Sequence, residues 1–271
     1  MDAFLAYETY IRLSVFLGLV VLFMSWERLA PKRALLRGRK GRWRTNGAII
    51  AIDTLALRLL FPVAAIGAAL WAQAQNIGLL NWLAAPLWLA IPLAFLFLDF
   101  AIWLQHLLFH RVPLLWRLHR MHHTDVDVDV TTGLRFHPLE MILSMVIKIG
   151  AVLLIGAPAV AVLLFEVVLN ATSLFNHSNI RLPVRADRLL RWWVVTPDMH
   201  RVHHSWHPHE TNSNYGFNLP WWDRLFRTYR DQPEAGHQDM TLGLEDFRDE
   251  KDNALSAILR QPWRNIDHEK H

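Results

Sequence analysis

Cysteine is missing from this chain of 271 residues. Without a thiol, the polypeptide can form no disulfide, no thiolate zinc site and no cysteine-ligated iron–sulfur cluster. The chain also lacks the GxGxxG fingerprint and the P-loop, two common nucleotide-binding motifs. Any metal site must therefore use other ligands, and reducing equivalents for redox chemistry must come from another protein.

Charged residues are also scarce, at 19% of the chain against 53% hydrophobic residues. A soluble domain of this length rarely has such a composition or a positive mean hydropathy. The apolar residues are concentrated before Leu104 and between Met141 and Phe175, which leaves the C-terminal part polar. We therefore predict one membrane-embedded unit over residues 1–271, with transmembrane helices in 1–98, a histidine-cluster catalytic region in 99–230 and a polar tail in 231–271.

Positive charge is concentrated in one short connection, which runs from Arg28 to Arg44 and contains eight lysine or arginine residues. Cytoplasmic loops of membrane proteins carry such an excess, so this loop is predicted to face the cytoplasm. Anionic lipid headgroups are its expected partner, and docking of an acidic electron donor is the alternative. A nucleic-acid patch is disfavoured because long apolar stretches flank the loop on both sides.

Three apolar runs precede the first histidines, and the second has roughly the 20 residues that a membrane-spanning helix needs. They are Ile11 to Met24, Ala48 to Ala72, and Trp82 to Leu104. A further stretch, Met141 to Phe175, is divided by Gly156, Ala157 and Pro158 into two arms, which predicts a helical hairpin. The fold class is therefore an all-α integral membrane protein, with a bundle of about four transmembrane helices plus a hairpin-type element.

Such a hairpin returns the chain to the membrane face that it left. The histidines before Met141 and those after Phe175 are therefore expected to meet on one face. Since the cationic loop follows the first apolar run, that run is predicted to be an outside-to-inside anchor. The later part of the chain is predicted to form helices at the membrane surface, anchored by Trp192, Trp193, Trp221 and Trp222. Together these elements predict a cytoplasmic, histidine-rich helical cap.

Eight histidines are grouped in the segments HLLFH, HRMHH and HRVHH; they are His106, His110, His119, His122, His123, His200, His203 and His204. Residues i, i+3 and i+4 share one face of a helix, so each cluster presents its imidazoles in one direction. With 15 histidines in 271 residues, HxxHH is expected about 0.05 times by chance, and two copies are present. So many imidazoles beside a membrane are costly without a ligand, which predicts a metal site.

Two further histidines, His137 in RFHPLE and His177 in LFNHSN, stand at the two ends of the predicted hairpin. They bring the candidate ligands to ten nitrogen donors, too many for one tetrahedral zinc and suited to two ions. An all-imidazole set suits zinc, copper, iron or nickel and argues against calcium or magnesium. We therefore predict a dimetal centre in the cap.

Carboxylates often accept a hydrogen bond from a metal-bound imidazole. The first candidate for such a carboxylate is Asp99, which lies seven residues before His106 and on nearly the same helical face. Asp198 is the second candidate. Asp125 and Glu140 are weaker candidates. The remaining histidines are interpreted as ordinary surface residues: His207, His209, His237, His268 and His271.

The three histidine segments, together with NSNYGFNLPWWDRLFRTY, resemble the fatty acid hydroxylase superfamily, which includes sterol desaturases and alkylglycerol monooxygenase. The likeness runs from about Asp99 to Tyr229 and is specific, because the histidine pattern, NYGF and WDRLF occur together. It implies a non-haem centre of two iron ions, for which zinc can substitute in purified protein, and it implies the eight clustered histidines as ligands. His177 matches a further ligand. Ser173 stands where several members have another histidine, so His137 is expected to complete the set.

The resemblance also implies the activity: O2-dependent hydroxylation or desaturation of a membrane lipid such as a fatty acyl or sterol-like substrate. Hydroxylation is favoured as the commoner outcome in the family. Electrons would come from a ferredoxin, cytochrome or flavoprotein reductase, and the expected location is a bacterial inner membrane with the histidines on the cytoplasmic side.

Two other functions remain open on the sequence. One is a membrane protein that binds or transports zinc or copper without oxygenase activity. A transporter needs polar groups deep in the membrane, whereas these clusters lie at helix ends. The other is a catalytically silent lipid-binding scaffold, against which the intact clusters argue.

Overall fold

The computed structural model describes residues 7–61 and 63–265. Across these residues the regular structure is helical, apart from two isolated β-bridges, Pro31 with Ile180 and Ser205 with Leu242. Five stretches within the described part are long and apolar enough to cross a membrane, the two hairpin arms among them. The prediction of an all-helical fold with several candidate membrane-spanning helices is therefore confirmed.

The first half of the described chain forms the helices α1 Glu8–Leu29, α2 Lys40–Leu60, α3 Ala64–Ala74, α4 Leu79–Trp82, α5 Leu87–Arg111 and α6 Pro113–His123. The hairpin follows as α7 Pro138–Ile155 and α8 Ala159–His177. Shorter helices complete the described part: α9 Val184–Leu190, α10 Pro197–His203, α11 Pro208–Thr211, α12 Trp221–Leu225, α13 Gly236–Asp239 and α14 Leu255–Ile258.

The hairpin turns at the residues that the sequence indicates. Gly156 ends α7 in the left-handed region, at φ 70°, and Pro158 precedes the first residue of α8. The backbone of Gly78 crosses this turn so closely that a Cβ on Gly78 would lie 2.3 Å from the Gly156 nitrogen. Both glycines are therefore required where the loop before α4 packs on the hairpin tip.

The second apolar run differs from the prediction of one helix over Ala48 to Ala72. Helix α2 begins at Lys40, inside the basic loop, and ends at Leu60. The next residue, Phe61, has a φ of −131° and a ψ of 66°, which are not helical. A proline follows Phe61 in the sequence, and proline disfavours helical backbone in the residue before it. The chain therefore continues through a separate helix, α3.

Small side chains form the core between α3, α5, α7 and α8. Ala65, Ala69, Ala90 and Ala94 are buried there beside larger residues such as Phe165. Alanine lets neighbouring helices approach closely, which is the usual basis of helix packing in membranes. Because lipid offers no hydrophobic driving force, this close packing positions the helices that carry the histidines.

One buried acid lies within this bundle. Glu166 on α8 forms ion pairs with Lys148 on α7 and with Arg12 on α1, the latter at 3.1 Å. Charges inside a membrane are costly unless they are paired, and these three are paired. The pairs connect the first helix to both arms of the hairpin.

Helix ends gather at one end of the bundle. The carboxylate of Glu27, near the end of α1, accepts hydrogen bonds from the backbone of Val130 and Asn179, both at 2.7 Å. The first turn of α2, the end of α5, the start of α7 and the end of α8 meet at the same place. We call this the histidine end.

Part of the basic loop is buried and hydrogen-bonded, whereas the sequence predicts an exposed loop. Arg42 is 3% exposed and donates to Asp125 at 2.6 Å and to Asp129 at 2.8 Å. The backbone of Leu36 and Arg37 donates to the Asp127 carboxylate. Part of the predicted cytoplasmic loop is thus built into the histidine end, and its exposed cations are Arg28, Arg37, Lys40 and Arg44.

Candidate metal centre

Four helices deliver nine of the ten candidate histidines to one buried layer. Helix α5 carries His106 and His110 near its end, and α8 ends at His177. Helix α6 carries the second cluster and α10, with the residue after it, carries the third. None of the nine side chains is more than 4% exposed. The predicted meeting of the three clusters on one face of the bundle therefore occurs.

The nine histidines divide into two neighbouring groups. In each group, one ring nitrogen of every member lies within 4.8 Å of those of the others. The five-histidine group consists of His106, His110, His119, His123 and His203, and the four-histidine group of His122, His177, His200 and His204. The two groups adjoin, since the ring centroids of His123 and His204 are 4.7 Å apart.

Backbone carbonyls fix the orientation of several imidazoles. The Nδ1–H groups of His106 and His203 donate to the carbonyls of Tyr215 and Ser213, both at 2.7 Å. In the four-histidine group, Nδ1–H of His177 donates to its own helix at Ser173, and that of His122 donates to Arg135 at 3.2 Å. A proton on Nδ1 leaves Nε2 as a lone pair that is available to a metal ion.

The Glu140 carboxylate fixes His119 in the same way. Its Oε1 accepts from Nδ1 of His119 at 2.6 Å, and Glu140 lies in the first turn of α7 with 4% exposure. Glu140, one of the weaker sequence-based candidates, thus makes the contact predicted for Asp99 or Asp198. Its position two residues after Pro138, in the first turn of the hairpin, is the sequence signal that it lies beside the clusters.

Lone pairs consequently face each other in both groups. Nε2 of His106 lies 3.1 Å from Nε2 of His119, and Nε2 of His122 lies 3.0 Å from Nε2 of His177. All four rings place their proton on Nδ1, so no hydrogen bond can join these nitrogens. Two nitrogens bound to one metal at about 2.0–2.1 Å are about 2.9–3.4 Å apart at tetrahedral or octahedral angles. The spacing therefore fits one cation in each group.

Other ligand nitrogens are buried without a hydrogen-bond partner among the described residues. They include Nε2 of His203 and both ring nitrogens of His204. A buried polar atom left in that state costs about 1–3 kcal/mol, and coordination to a metal removes the cost. These orphaned atoms are a second indication that each group is built for an ion.

Burial also sets the protonation state of the ligands outside the spanning helices. It lowers the pKa of His119 to about 3, and it lowers the pKa values of His122, His123, His200, His203 and His204 well below the usual value. Neutral imidazole is the form that binds metals. The site therefore presents its donors in the binding form at neutral pH.

The tenth candidate, His137, lies outside both groups. Its Nδ1 accepts from the backbone of Leu139 at 3.2 Å, which caps the start of α7, and its Nε2–H donates to the Leu259 carbonyl at 3.1 Å. Both ring nitrogens are thus used in joining the hairpin to the C-terminal segment.

The two carboxylates singled out from the sequence contact other partners. Asp99 accepts from the indole of Trp222 at 2.8 Å, and Asp198 pairs with Arg201 at 2.5 Å and with Lys32. Asp99 holds the segment around α12 against α5, and Asp198 fastens α10 to the basic loop. Both stabilise elements around the centre.

The histidines interpreted as surface residues differ among themselves. His207 is half-buried, and His209 is exposed and pairs with Glu234 at 2.9 Å. His237 is a correction, because its side chain is only 9% exposed and lies 3.7 Å from Asp198. His268 and His271 lie outside the described residues.

Asp223 is a supporting residue that the sequence analysis did not identify. It is fully buried, and its carboxylate accepts from the backbone of Tyr215 at 2.9 Å and Gly216 at 2.8 Å and from the indole of Trp103 at 3.0 Å. The loop that it holds includes the Tyr215 carbonyl, which orients His106. The NYGF and WDRLF segments were visible in the sequence, and the structure connects them through Asp223.

Comparison with known proteins agrees with this arrangement. The fatty acid hydroxylase family matches residues 91–228, just over half of the chain. The matched part includes all nine grouped histidines and Asp223. No solved structure matches the chain significantly.

Several characterised proteins are similar in sequence. The ornithine lipid hydroxylase OlsE of Rhizobium tropici is 26% identical over 84% of this chain and 70% of its own length. An alkylglycerol monooxygenase of Xenopus tropicalis is 31% identical over 57% of this chain and 34% of its own length. A Delta(7)-sterol-C5(6)-desaturase of Nicotiana tabacum is 29% identical over 63% of this chain and 58% of its own length. The chain thus spans only part of each relative.

Proposed function

This chain belongs to the fatty acid hydroxylase family, and on that premise we propose that it is an O2-dependent di-iron oxygenase that hydroxylates a C–H bond of a membrane lipid. Its relatives are named hydroxylase, monooxygenase and desaturase, so the prediction of an oxidoreductase acting on lipids is confirmed at that level. Desaturation is the alternative outcome of the same chemistry.

One observation carries the proposal: lone pairs of fixed imidazoles face each other at 3.1 Å in the five-histidine group and at 3.0 Å in the adjoining four-histidine group. This supports two ions held side by side by the nine histidines. Donor type alone allows zinc, copper, iron or nickel. Family membership favours iron among them.

Bound iron would supply O2 activation and oxidation of an unactivated carbon. Hydroxylation consumes one C–H bond, one O2, two electrons and two protons, and it yields a hydroxyl group and water. The electrons require an external donor, which we propose is a ferredoxin, cytochrome or flavoprotein reductase. The exposed cations Arg28, Arg37, Lys40 and Arg44 support a cytoplasmic histidine end, and the membrane that we propose is a bacterial inner membrane.

The protein's own residues would position the lipid and exclude water from the metal centre. The nine imidazoles are buried at the end of an apolar bundle, so bulk water is excluded from the place where oxidation would occur. A lipid whose hydrocarbon chain lies along the bundle and whose polar end stays at the membrane surface would present one carbon to the centre. Such positioning is a large part of what an enzyme supplies to a cofactor reaction.

Labelled oxygen tests the proposal directly. Cells that produce the protein are grown under 18O2, and their lipid extracts are compared by mass spectrometry with extracts from cells producing His122→Ala. We expect a lipid bearing one 18O atom with the parent protein and its loss with His122→Ala. The exposed-residue control His209→Ala should keep the product. Desaturation would give a new double bond without 18O in the lipid. A metal-binding or transport protein would give neither an 18O-labelled nor a newly desaturated lipid with any of the three chains.

A further inference from the structure

Five aromatic side chains border the nine histidines: Phe109, Trp116, Phe136, Tyr215 and Phe217. Phe109, Trp116 and Tyr215 are at most 3% exposed, whereas Phe136 and Phe217 are partly exposed. The phenyl and indole rings among them supply no ligand to iron, so Phe109, Trp116, Phe136 and Phe217 shape the space around the centre.

Phe217 borders both histidine groups and the apolar core of the bundle. Its centroid lies 4.9 Å from that of His106 in the five-histidine group, and 5.8 Å and 6.5 Å from those of His200 and His177 in the four-histidine group. Phe136 also borders both groups, at 4.4 Å from His122 and 6.2 Å from His119, but it lies outside the apolar core against which Phe217 packs. Phe217 therefore lies beside the place where the two groups adjoin.

Phe217 also packs against the membrane-spanning core. The same core includes Phe95 on α5 and Leu169 on α8. His106 lies further along α5 and His177 ends α8, so the ring sits between the apolar bundle and the imidazoles. A hydrocarbon chain that approached the centre along α5 and α8 would contact this ring.

The backbone behind the ring is fixed. Asn176 on α8 donates to the Phe217 carbonyl at 3.1 Å, and Asp223 holds the backbone of Gly216. A Cβ on Gly216 would lie 2.9 Å from the Leu219 carbonyl, so the loop turns tightly at this glycine. The ring itself makes no hydrogen bond and is partly exposed, which leaves its side-chain torsions as the movable part of this loop.

We propose that the Phe217 ring closes the membrane side of the metal centre and sets how far a lipid hydrocarbon chain advances, so that Phe217 determines which carbon is oxidised. This inference rests on the proposed function for its chemistry. The placement of the hydrocarbon chain can be tested without turnover.

A photoreactive lipid measures that placement. The probe is phosphatidylcholine with a diazirine at the end of one acyl chain, bound to iron-loaded protein in nanodiscs without reductant. Crosslinked peptides are mapped by mass spectrometry. We expect labelling of residues 169–177 and 212–219 in the parent protein, and labelling at least about tenfold lower in Phe217→Trp, because a larger ring overfills a close-packed space.

Two further variants make the result specific. Phe217→Ala should increase labelling of the same peptides, since the smaller side chain opens the path. Phe136→Ala removes a ring of equal size on the His122 side and should label as the parent does. Iron content should be equal in the parent and both Phe217 variants. Labelling that is unchanged in both Phe217 variants would overturn the proposal.

The oxidised position provides the second readout. In the 18O2 experiment, Phe217→Ala should move the hydroxyl group to a different carbon or to a mixture of positions. A single, unchanged position in an active Phe217→Ala enzyme would contradict a role in selecting the carbon. If labelling responds to Phe217 as expected while no chain makes an oxidised lipid, the placement stands and the oxygenase function fails.

Discussion

The membrane-spanning core and the histidine end are stabilised by different kinds of contact. In the core, small apolar residues such as Ala69 and Ala94 pack by shape alone. At the histidine end, buried charged side chains are held by particular partners, as Arg42 is held by Asp125 and Asp129. Apolar packing tolerates substitution by a side chain of similar volume. A buried charge or a metal ligand cannot be replaced without leaving its partner unpaired. Single substitutions should therefore separate the two regions.

The largest effect is expected at a metal ligand. His203→Ala removes one donor from the five-histidine group, and we expect oxygenase activity to fall by more than about 100-fold, the upper end of what loss of an outer hydrogen-bond partner costs. Product formation and metal content per chain are the measurements. His207→Ala, a half-buried histidine outside both groups, is the control. Full activity in His203→Ala would mean that His203 is not a metal ligand.

A large loss of stability is expected when Arg42 is replaced. Arg42→Ala leaves two buried aspartates without their cation, which should cost about 3–5 kcal/mol of stability. Thermal unfolding in detergent measures the loss, and Arg44→Ala, an exposed arginine two residues later, should unfold as the parent does. Equal stability of the two variants would mean that the charged contacts of Arg42 contribute little.

Glu140 tests the layer behind the ligands. Glu140→Gln keeps the size of the side chain but weakens the hydrogen bond from His119, so metal affinity should fall about 10- to 100-fold. Competition with a chelator measures the affinity, with the exposed Glu245→Gln as the matched control. An affinity within the error of the parent would make this contact structural only.

The smallest effect is expected inside the membrane core. Leu98 is 1% exposed, and Leu98→Met conserves its volume, so stability should change by less than about 1.5 kcal/mol with metal content unchanged. The same unfolding assay used for Arg42 provides the comparison. A loss as large as that of Arg42→Ala would erase the distinction between the two regions.

The same difference explains what the sequence could predict. The hairpin at Gly156 and the convergence of the histidines followed from local signals, namely a turn and helical spacing. The burial of Arg42 depends on Asp125 and Asp129, which are more than 80 residues away. Asp99 has the helical register to support His106, yet it bonds to Trp222 from a distant segment. Polar contacts between residues that are far apart in the sequence leave no local sequence pattern from which they could be predicted.

The sequence around His137 contains a signal for helix capping, but the neighbouring histidines favoured its interpretation as a metal ligand. A histidine directly before a proline at the start of a helix is well placed to cap that helix, and His137 does so before Pro138. Its place among other histidines favoured the interpretation as a ligand. The proposed ligand set is therefore the nine grouped histidines.

Metal content per chain, measured together with the Mössbauer spectrum, tests the central claim most directly. The protein is purified in detergent after growth in iron-supplemented medium. The proposal of two adjoining histidine groups that hold two irons predicts about two irons per chain, one for each group, and a coupled diferric spectrum. One metal per chain, or zinc or copper retained under every growth condition with no O2 consumption on addition of reductant and lipid extract, would contradict it.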